Sequence, residues 1–217
     1  MGYTMTNKTL PGSKGEKALQ KQFKTTKDAL QFYNKQVITH LSPLMQVFIE
    51  KQEMMFISTS DSKGECDASF RAGDAGFVRI LDAHHLLYPE YKGNGVMASL
   101  GNMSENPNVG LMFLDFFETK VGLHVNGKAK IVLKEALQNT LAPFPQAYKD
   151  VEENPDSFKI VSYVLVEVEE AYIHCSIHIP MLQKIDPKTY EKQFPRNAKG
   201  GDAFDVAKVE RPWVDKN

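Results

Sequence analysis

The chain has 217 residues, of which 42% are hydrophobic, and its formal net charge at pH 7 is −1. A chain of this length can bury one full core, and its charge offers no basic excess for binding nucleic acid. No apolar run is long enough to span a membrane and no signal-peptide core is visible, so we expect a protein of the cytoplasm. The two cysteines, Cys66 and Cys175, lie far apart without the spacing of a metal site, which is typical of reduced thiols.

The N-terminal region is predicted to be an arm followed by helices. Polar residues 1–13 predict a flexible arm. A stripe of side chains then recurs at spacings of three and four, which predicts one helix over residues 14–38. The stripe consists of Leu19, Phe23, Thr26, Leu30, Tyr33 and Val37. Ser42 and Pro43 are typical of an N-cap and a first helical position, so a second short helix is expected through Lys51.

Two hairpins are predicted next, because short β-like runs flank polar turns. The first hairpin joins residues 54–60 to residues 65–71, and the second joins residues 77–81 to residues 85–89.

Alternation along the second arm of the first hairpin divides its side chains between two faces. Asp67, Ser69 and Arg71 share one face. The opposite face carries Cys66, Ala68 and Phe70, and we expect it to point into the protein interior, with Cys66 as a small buried apolar residue.

The remaining elements indicate more antiparallel sheet. Residues 109–117 form a nearly unbroken apolar run, which predicts a strand covered on both faces. Residues 121–131 alternate and residues 161–168 are apolar, so both ranges predict strands, while residues 134–158 predict a helix interrupted by prolines. The fold class is therefore mainly β (α+β), with about six antiparallel strands and flanking helices rather than a repeated βαβ pattern.

The turn Lys92-Gly93-Asn94-Gly95 is the best candidate for an anion site in the sequence. It precedes a predicted short helix with Val96, Leu100 and Met103 on one face. Free backbone N–H groups, the helix dipole and the charge of Lys92 all favour an anion there. The alternative is a solvent-exposed lysine in an ordinary connection.

Four short motifs follow one another through this region. They are Arg71-Ala72-Gly73-Asp74-Ala75-Gly76-Phe77-Val78, Pro89-Glu90-Tyr91-Lys92-Gly93-Asn94, Ser99-Leu100-Gly101-Asn102, and Asn106-Pro107 before the strand 109–117. In this order and spacing they resemble the pyridoxamine 5'-phosphate oxidase-like FMN-binding split-barrel family, over roughly residues 50–180. That family more often has arginine at position 92, and lysine keeps the charge without the bidentate geometry.

The resemblance implies a split β-barrel domain over residues 14–180, including the N-terminal helices. It also implies FMN as the cofactor, a homodimer with the flavin between subunits, and an oxidoreductase acting on an unidentified small-molecule substrate. A deazaflavin-dependent reductase, or a non-catalytic flavin- or haem-binding protein, is the alternative on the same fold. Residues 181–217 are expected to form a C-terminal arm packed on the body or on the partner subunit.

The resemblance also suggests which residues bind the cofactor, although no catalytic residue is identified. Lys92, Asn94 and Arg71 are expected at the phosphate, and Ser69 on the strand beside the flavin. The full predicted set is Ser69, Arg71, Asp74, Tyr88, Pro89, Lys92, Asn94, Ser99, Asn102, His174 and Cys175.

Arg71 and His174 also have alternative interpretations. Arg71 could instead form an ion pair with Asp74 or another neighbour. The His174 to His178 spacing could suggest a metal or haem ligand pair, or simply two polar residues at a strand end.

Overall fold

A computed structural model describes residues 10–153, 160–186, 188–189, 204, 206–211 and 213. The chain divides into two compact units, residues 1–181 and residues 182–217. In the second unit, Val206–Lys208 form a short 3-10 helix. Most of the predicted N-terminal arm and much of the predicted C-terminal arm lie outside the described residues.

The N-terminal region contains two helices where one was expected. Helix α1 spans Lys14–Gln22 and helix α2 spans Thr26–Gln36. The prediction of one helix over residues 14–38 was wrong because Lys24 adopts a left-handed conformation, with φ of 60°, which ends the helical hydrogen bonding. Helix α3, Pro43–Glu50, begins as predicted, because the Ser42 side chain accepts a hydrogen bond from the Met45 N–H.

All strand pairs are antiparallel, and the strands form one sheet in the order β3-β2-β6-β7-β8-β5-β4, with β1 paired to β8. The eight strands are β1 Val37–Ile38, β2 Met54–Ser60, β3 Cys66–Ala72, β4 Arg79–Ile80, β5 His85–Tyr91, β6 Asn108–Leu114, β7 Gly122–Leu133 and β8 Ile160–His174. The sheet does not close within the described part of the chain. This arrangement confirms the α+β split-barrel prediction. Strand β4 is shorter than the predicted hairpin arm 77–81, and the two-residue strand β1 is the one addition among the described residues.

Helices connect the later strands. Helix α4 spans Ala98–Glu105, α5 spans Leu137–Thr140 after a 3-10 turn at Lys134–Ala136, and α6 spans Pro145–Glu153. Among the described residues, no helix combines the length and apolar character that crossing a bilayer requires.

The core consists of two apolar clusters, which lie on opposite faces of the sheet. The larger cluster lies inside the barrel and includes Met55, Ile57, Leu111 and Phe113, each at most 1% exposed. The smaller cluster includes Leu87 and Val132 together with buried side chains of α5 and α6. Strand β6 buries one face and leaves the other partly exposed, so the prediction that it is covered on both faces was wrong.

Strand β3 faces the opposite way from the sequence prediction. Cys66 and Ala68 are exposed, and Phe70 is 51% exposed, whereas Asp67, Ser69 and Arg71 on the other face are partly buried. The prediction of an inward-facing Cys66 was wrong because β3 is an edge strand whose polar face lies against α4. Alternation divides a strand into two faces, but it does not state which face is inside.

A β-bulge interrupts the pairing of β7 with β8. Asn126 pairs with Glu170, but the next residue, Gly127, pairs with Val168, so Glu169 is an extra residue without a partner in the ladder. A Cβ atom at Gly127 would stand 2.0 Å from the Glu167 carbonyl oxygen, which explains why glycine occupies this position. Strand β8 continues beyond the bulge to His174, six residues past its predicted end.

Candidate functional site

A cleft of about 430 Å³ opens between β3, the end of β5 and the first turn of α4. Its charged and polar lining consists of Asp67, Ser69, Arg71, Glu90, Lys92, Asn94 and Ser99. Five of the predicted site residues therefore line one space: Ser69, Arg71, Lys92, Asn94 and Ser99. Ser69 and Arg71 reach the cleft because alternation along β3 places them on the side of α4, whereas Lys92 and Asn94 lie in the turn after β5 and Ser99 lies in the first turn of α4.

Arg71 binds Glu90 at the inner end of the cleft. The Arg71 Nε and Nη2 atoms lie 2.9 Å and 2.8 Å from Glu90 Oε1, and Nη1 donates to the Phe70 carbonyl oxygen at 3.1 Å. The two side chains are only 18% and 5% exposed. Burial raises the pKa of Glu90, although the adjacent guanidinium opposes this effect. The arginine thus forms a buried ion pair, and Glu90 rather than Asp74 is its partner.

Tyr88 lies behind this ion pair and is fully buried in the core. Its hydroxyl and that of Ser162 have no hydrogen-bond partner among the described residues. Burial raises the pKa of Tyr88 well above its usual range, and the negative charge of Glu90 contributes in the same direction. Pro89, the next predicted residue, is also buried in β5. Neither side chain lines the cleft.

Asp67 forms a second polar cluster with two serines of the cleft. Its Oδ2 atom accepts hydrogen bonds from Ser69 Oγ at 2.8 Å and from Ser99 Oγ at 3.1 Å. The two serine hydroxyls lie 3.3 Å apart, and Ser99 is only 4% exposed. The cluster ties β3 to the first turn of α4, so it fixes the wall of the cleft.

The Lys92 to Gly95 segment forms a separate turn before α4. The Gly95 N–H donates to the Lys92 carbonyl oxygen at 2.9 Å, and Asn94 Oδ1 accepts from the Val96 N–H at 3.0 Å. Helix α4 begins only at Ala98, so the expectation that Val96 lies on its apolar face was wrong, and Val96 is 71% exposed. The cause is Met97, whose φ of 57° separates the turn from the helix.

Four further predicted residues, Asp74, Asn102, His174 and Cys175, lie outside the cleft. Asn102 donates to Thr59 Oγ1 at 3.0 Å, and Asp74 is exposed in the loop after β3. Cys175 is exposed just beyond β8. His174 Nδ1 lies 2.8 Å from a ring nitrogen of His124 on the outer side of the sheet.

The histidine pair has a polar and aromatic environment of its own. His124 stacks on Tyr172 with ring centroids 4.7 Å apart. Burial lowers the pKa of His124, the nearby His174 adds to this effect, and Glu170 opposes it. Within the described ranges, no group of three or more His, Cys, Asp or Glu side chains is arranged to hold a metal ion.

Sequence reasoning missed two carboxylates of the cleft, Asp67 and Glu90. The signal for Asp67 was present, because alternation placed it on the same face as Ser69 and Arg71. Glu90 lies between Pro89 and Tyr91, and its partner Arg71 lies 19 residues away in the sequence. A pairing across two strands that are not neighbours in the sheet has no local sequence signal.

The part of the chain that contains the cleft is similar to a known protein family. The family model for pyridoxamine 5'-phosphate oxidase matches residues 41–175, which is more than half of the chain and includes the whole cleft. No curated protein matches the chain significantly.

Three solved structures show how similar the chain is to known proteins in three dimensions. HupZ from Group A Streptococcus is 19% identical and covers 61% of this chain and 92% of its own, with a TM-score of 0.44. An FMN-binding protein from Syntrophomonas wolfei is 12% identical and covers 74% and 97%, with a TM-score of 0.42. HutZ, a heme storage protein from Vibrio cholerae, is 14% identical and covers 61% and 94%, with a TM-score of 0.39. Similarities this low carry no argument about ligand or activity.

Proposed function

Because the chain belongs to the pyridoxamine 5'-phosphate oxidase family, we propose that it binds FMN in the cleft between β3, β5 and α4 and acts as a flavin-dependent oxidoreductase on a small molecule. The observation that carries this proposal is the meeting of Lys92, Asn94, Arg71 and the two serines in one cleft. These residues are separated in the sequence, and the family motifs contain all of them except Ser69, which lies two residues before the first motif.

The donor set of the cleft fits a phosphate at its outer end. Lys92 is exposed and provides a mobile positive charge, and Asn94 provides an amide beside it. Gly93 and Gly95 adopt left-handed conformations, with φ of 50° and 83°, and an added Cβ at Gly95 would meet nothing within 4 Å. The turn therefore leaves space beside its backbone for an anion to approach. The cleft volume also lies in the usual range of roughly 300–1,000 Å³ for small-molecule sites.

The proposal assigns binding and orientation to the residues of this chain. Lys92 would hold the phosphate, while Glu90 fixes the direction of the Arg71 guanidinium and so leaves it only part of its charge for a ligand. Bound FMN would supply the redox chemistry of the reaction. We assign no side chain as a catalytic acid or base.

We further propose that two copies of the chain form the working unit. Phe56 and Phe70 lie side by side on the outer face of the β2–β3 hairpin, 37% and 51% exposed, with ring centroids 5.6 Å apart. Exposed aromatic side chains grouped in this way favour burial against a protein partner. A two-fold interface would present the same hairpin from both subunits.

Lys92→Ala tests the phosphate assignment by comparing two flavins. A charge-assisted contact is worth about 1.5–3 kcal/mol, so the variant is expected to bind FMN roughly ten- to a hundredfold more weakly. Riboflavin lacks the phosphate, so its dissociation constant is expected to stay unchanged. Lys92→Arg is expected to keep or improve FMN binding, because a guanidinium can contact two phosphate oxygens. Dissociation constants from flavin fluorescence titration are the measurement.

Lys63→Ala is the matched control, because Lys63 is an exposed lysine in the turn of the β2–β3 hairpin and does not line the cleft. Equal losses for FMN and riboflavin in Lys92→Ala would show that Lys92 does not bind the phosphate. Absence of flavin binding by the unmodified protein would refute the cofactor proposal itself. The visible spectrum of the purified protein would then distinguish haem or a deazaflavin.

A further inference from the structure

A carboxylate stands inside the cleft that is proposed to bind an anionic cofactor. Asp67 lines the cleft together with the two serines that donate to its Oδ2 atom. No hydrogen bond to the other oxygen, Oδ1, is seen among the described residues, and the side chain is partly exposed. Asp67 therefore offers an unoccupied acceptor to a ligand in the cleft.

The serine hydroxyls are already used as donors. A serine carries one hydroxyl proton. Ser69 donates its proton to Asp67 Oδ2 at 2.8 Å, and the Ser99 hydroxyl has two acceptors within reach, Asp67 Oδ2 at 3.1 Å and Ser69 Oγ at 3.3 Å. Neither proton is then available for an anion in the cleft. Their oxygens and the Asp67 carboxylate form a surface of hydrogen-bond acceptors, which suits ligand hydroxyl or amino groups and opposes phosphate oxygens.

The distribution of charge in the cleft also opposes a phosphate at the Asp67 cluster. Arg71 and Lys92 contribute two positive charges, and Asp67 and Glu90 contribute two negative ones. Glu90 accepts from both the Nε and the Nη2 atoms of Arg71, so the charges of these two side chains largely cancel each other. Lys92 and Asp67 remain, with opposite signs and on different walls of the cleft. A dianion is thus attracted at the Lys92 turn and repelled at the Asp67 cluster.

We propose that Asp67 is a specificity-determining residue that excludes phosphate from the Ser69–Ser99 end of the cleft and reserves that end for a hydroxyl-bearing part of the ligand. The inference rests on the proposed function, in which the ligand is a flavin with a polyol chain and a phosphate. In this arrangement the polyol hydroxyls donate to Asp67, and the phosphate is confined to the Lys92 turn. The carboxylate consequently limits how strongly the site prefers a phosphorylated flavin over an unphosphorylated one.

Asp67→Asn tests the proposal through the ratio of two dissociation constants, riboflavin over FMN. Loss of a polyol hydrogen bond affects both ligands equally and cancels in the ratio, whereas relief of charge repulsion affects FMN alone. Removing one negative charge from the partly solvated cleft that is proposed to hold the phosphate is expected to raise the ratio by roughly three- to tenfold. Asp67→Glu keeps the charge and is expected to keep the ratio of the unmodified protein. A ratio that is unchanged or lower in Asp67→Asn overturns the proposal.

Two further experiments remove the remaining ambiguities. Glu65→Gln makes the same change of net charge on an exposed side chain outside the cleft, so an equal rise in its ratio would also overturn the assignment to Asp67. Asp67→Ser removes the charge with a smaller side chain, and it replaces Asp67→Asn if that variant does not fold.

A flavin-free assay separates this inference from the cofactor proposal. Inorganic phosphate is titrated against the unmodified protein and Asp67→Asn while the melting temperature is recorded. Repulsion by Asp67 predicts a larger phosphate-dependent rise in the variant, and equal rises in the two proteins contradict it. If FMN fails to bind but this difference appears, the cofactor proposal fails while the role of Asp67 stands.

Discussion

Removing the positive member of the buried Arg71–Glu90 pair is expected to destabilise the fold strongly. Arg71→Met keeps most of the apolar stem but leaves Glu90, whose side chain is 5% exposed, without its counter-charge. A carboxyl that must then stay protonated at pH 7, against an ordinary pKa of 4.5, costs about 1.36 × 2.5, or about 3.4 kcal/mol, relative to the unfolded chain. This value is an upper limit on the charge penalty. We therefore expect the free energy of unfolding to fall by about 3 kcal/mol and the melting temperature to fall by roughly 6–12 °C for a chain of this size.

The pH dependence of this loss identifies its cause. A folded-state pKa raised above the unfolded value means that the folded protein holds the proton more tightly. The stabilisation by that proton is present below the ordinary pKa of 4.5 and disappears as the pH rises through the folded pKa. Since Arg71→Met raises the pKa of Glu90 further, the deficit of the variant is expected to be small near pH 4.5 and to grow toward pH 7.

The assay is urea unfolding of the flavin-free protein, followed by circular dichroism at several pH values. Arg71→Met/Glu90→Gln is expected to recover most of the loss at pH 7, because the unpaired charge is gone. Lys149→Met breaks an exposed pair with Glu153, with side chains 62% and 60% exposed, and is expected to cost only about 0.3–0.5 kcal/mol. A deficit below about 1 kcal/mol for Arg71→Met, or one that is independent of pH, would refute the reasoning.

Two further predictions concern the loop after β6 and the outer face of the β2–β3 hairpin. Hydrogen bonds from three backbone N–H groups and from the Thr119 hydroxyl lower the pKa of Asp115 to about 2, so its stabilisation is present above its ordinary pKa of 3.8 and is lost as the pH falls toward 2. Asp115→Ala is expected to cost about 1–2 kcal/mol at pH 7 and much less near pH 2 in acid-unfolding titrations, and a loss that does not depend on pH would contradict this account. Phe70→Ser is expected to weaken the proposed homodimer, measured by sedimentation velocity over a range of concentrations, and a protein that is monomeric without the substitution would exclude that dimer.

Much of the fold could be predicted because its signals are local. The β2–β3 hairpin follows from two alternating runs around a polar turn, and α3 follows from Ser42 and Pro43. The break between α1 and α2 could not be predicted, because neither glycine nor proline marks the left-handed residue Lys24.

The candidate site was predictable only where its residues belong to local motifs. Motif spacing identified Lys92, Asn94 and Ser99, which the fold brings to one cleft. The pairing of Arg71 with Glu90 depends on how strands from different parts of the sheet approach each other, and a pattern along one strand contains no such information. Alternation along β3 placed Asp67 on the same face as Ser69 and Arg71, but an acceptor carboxylate is not a side chain that an anion site would lead one to choose, so Asp67 was not assigned to the cleft.

The single extra residue in β8 constrains how this chain can be altered or aligned. Before the bulge, even-numbered side chains such as Val166 and Val168 point into the core, and after it the odd-numbered Ala171 does. Deleting Glu169 would restore an even ladder and leave Ala171 inward. Keeping Glu169 but losing the bulge would instead turn Tyr172 and His174 inward, which would demand room for two large rings in the barrel. A sequence alignment that matches Glu169 to a paired residue of a strand without the bulge therefore assigns the wrong side chains to the interior beyond it, and an engineered insertion is tolerated better in a surface turn than here.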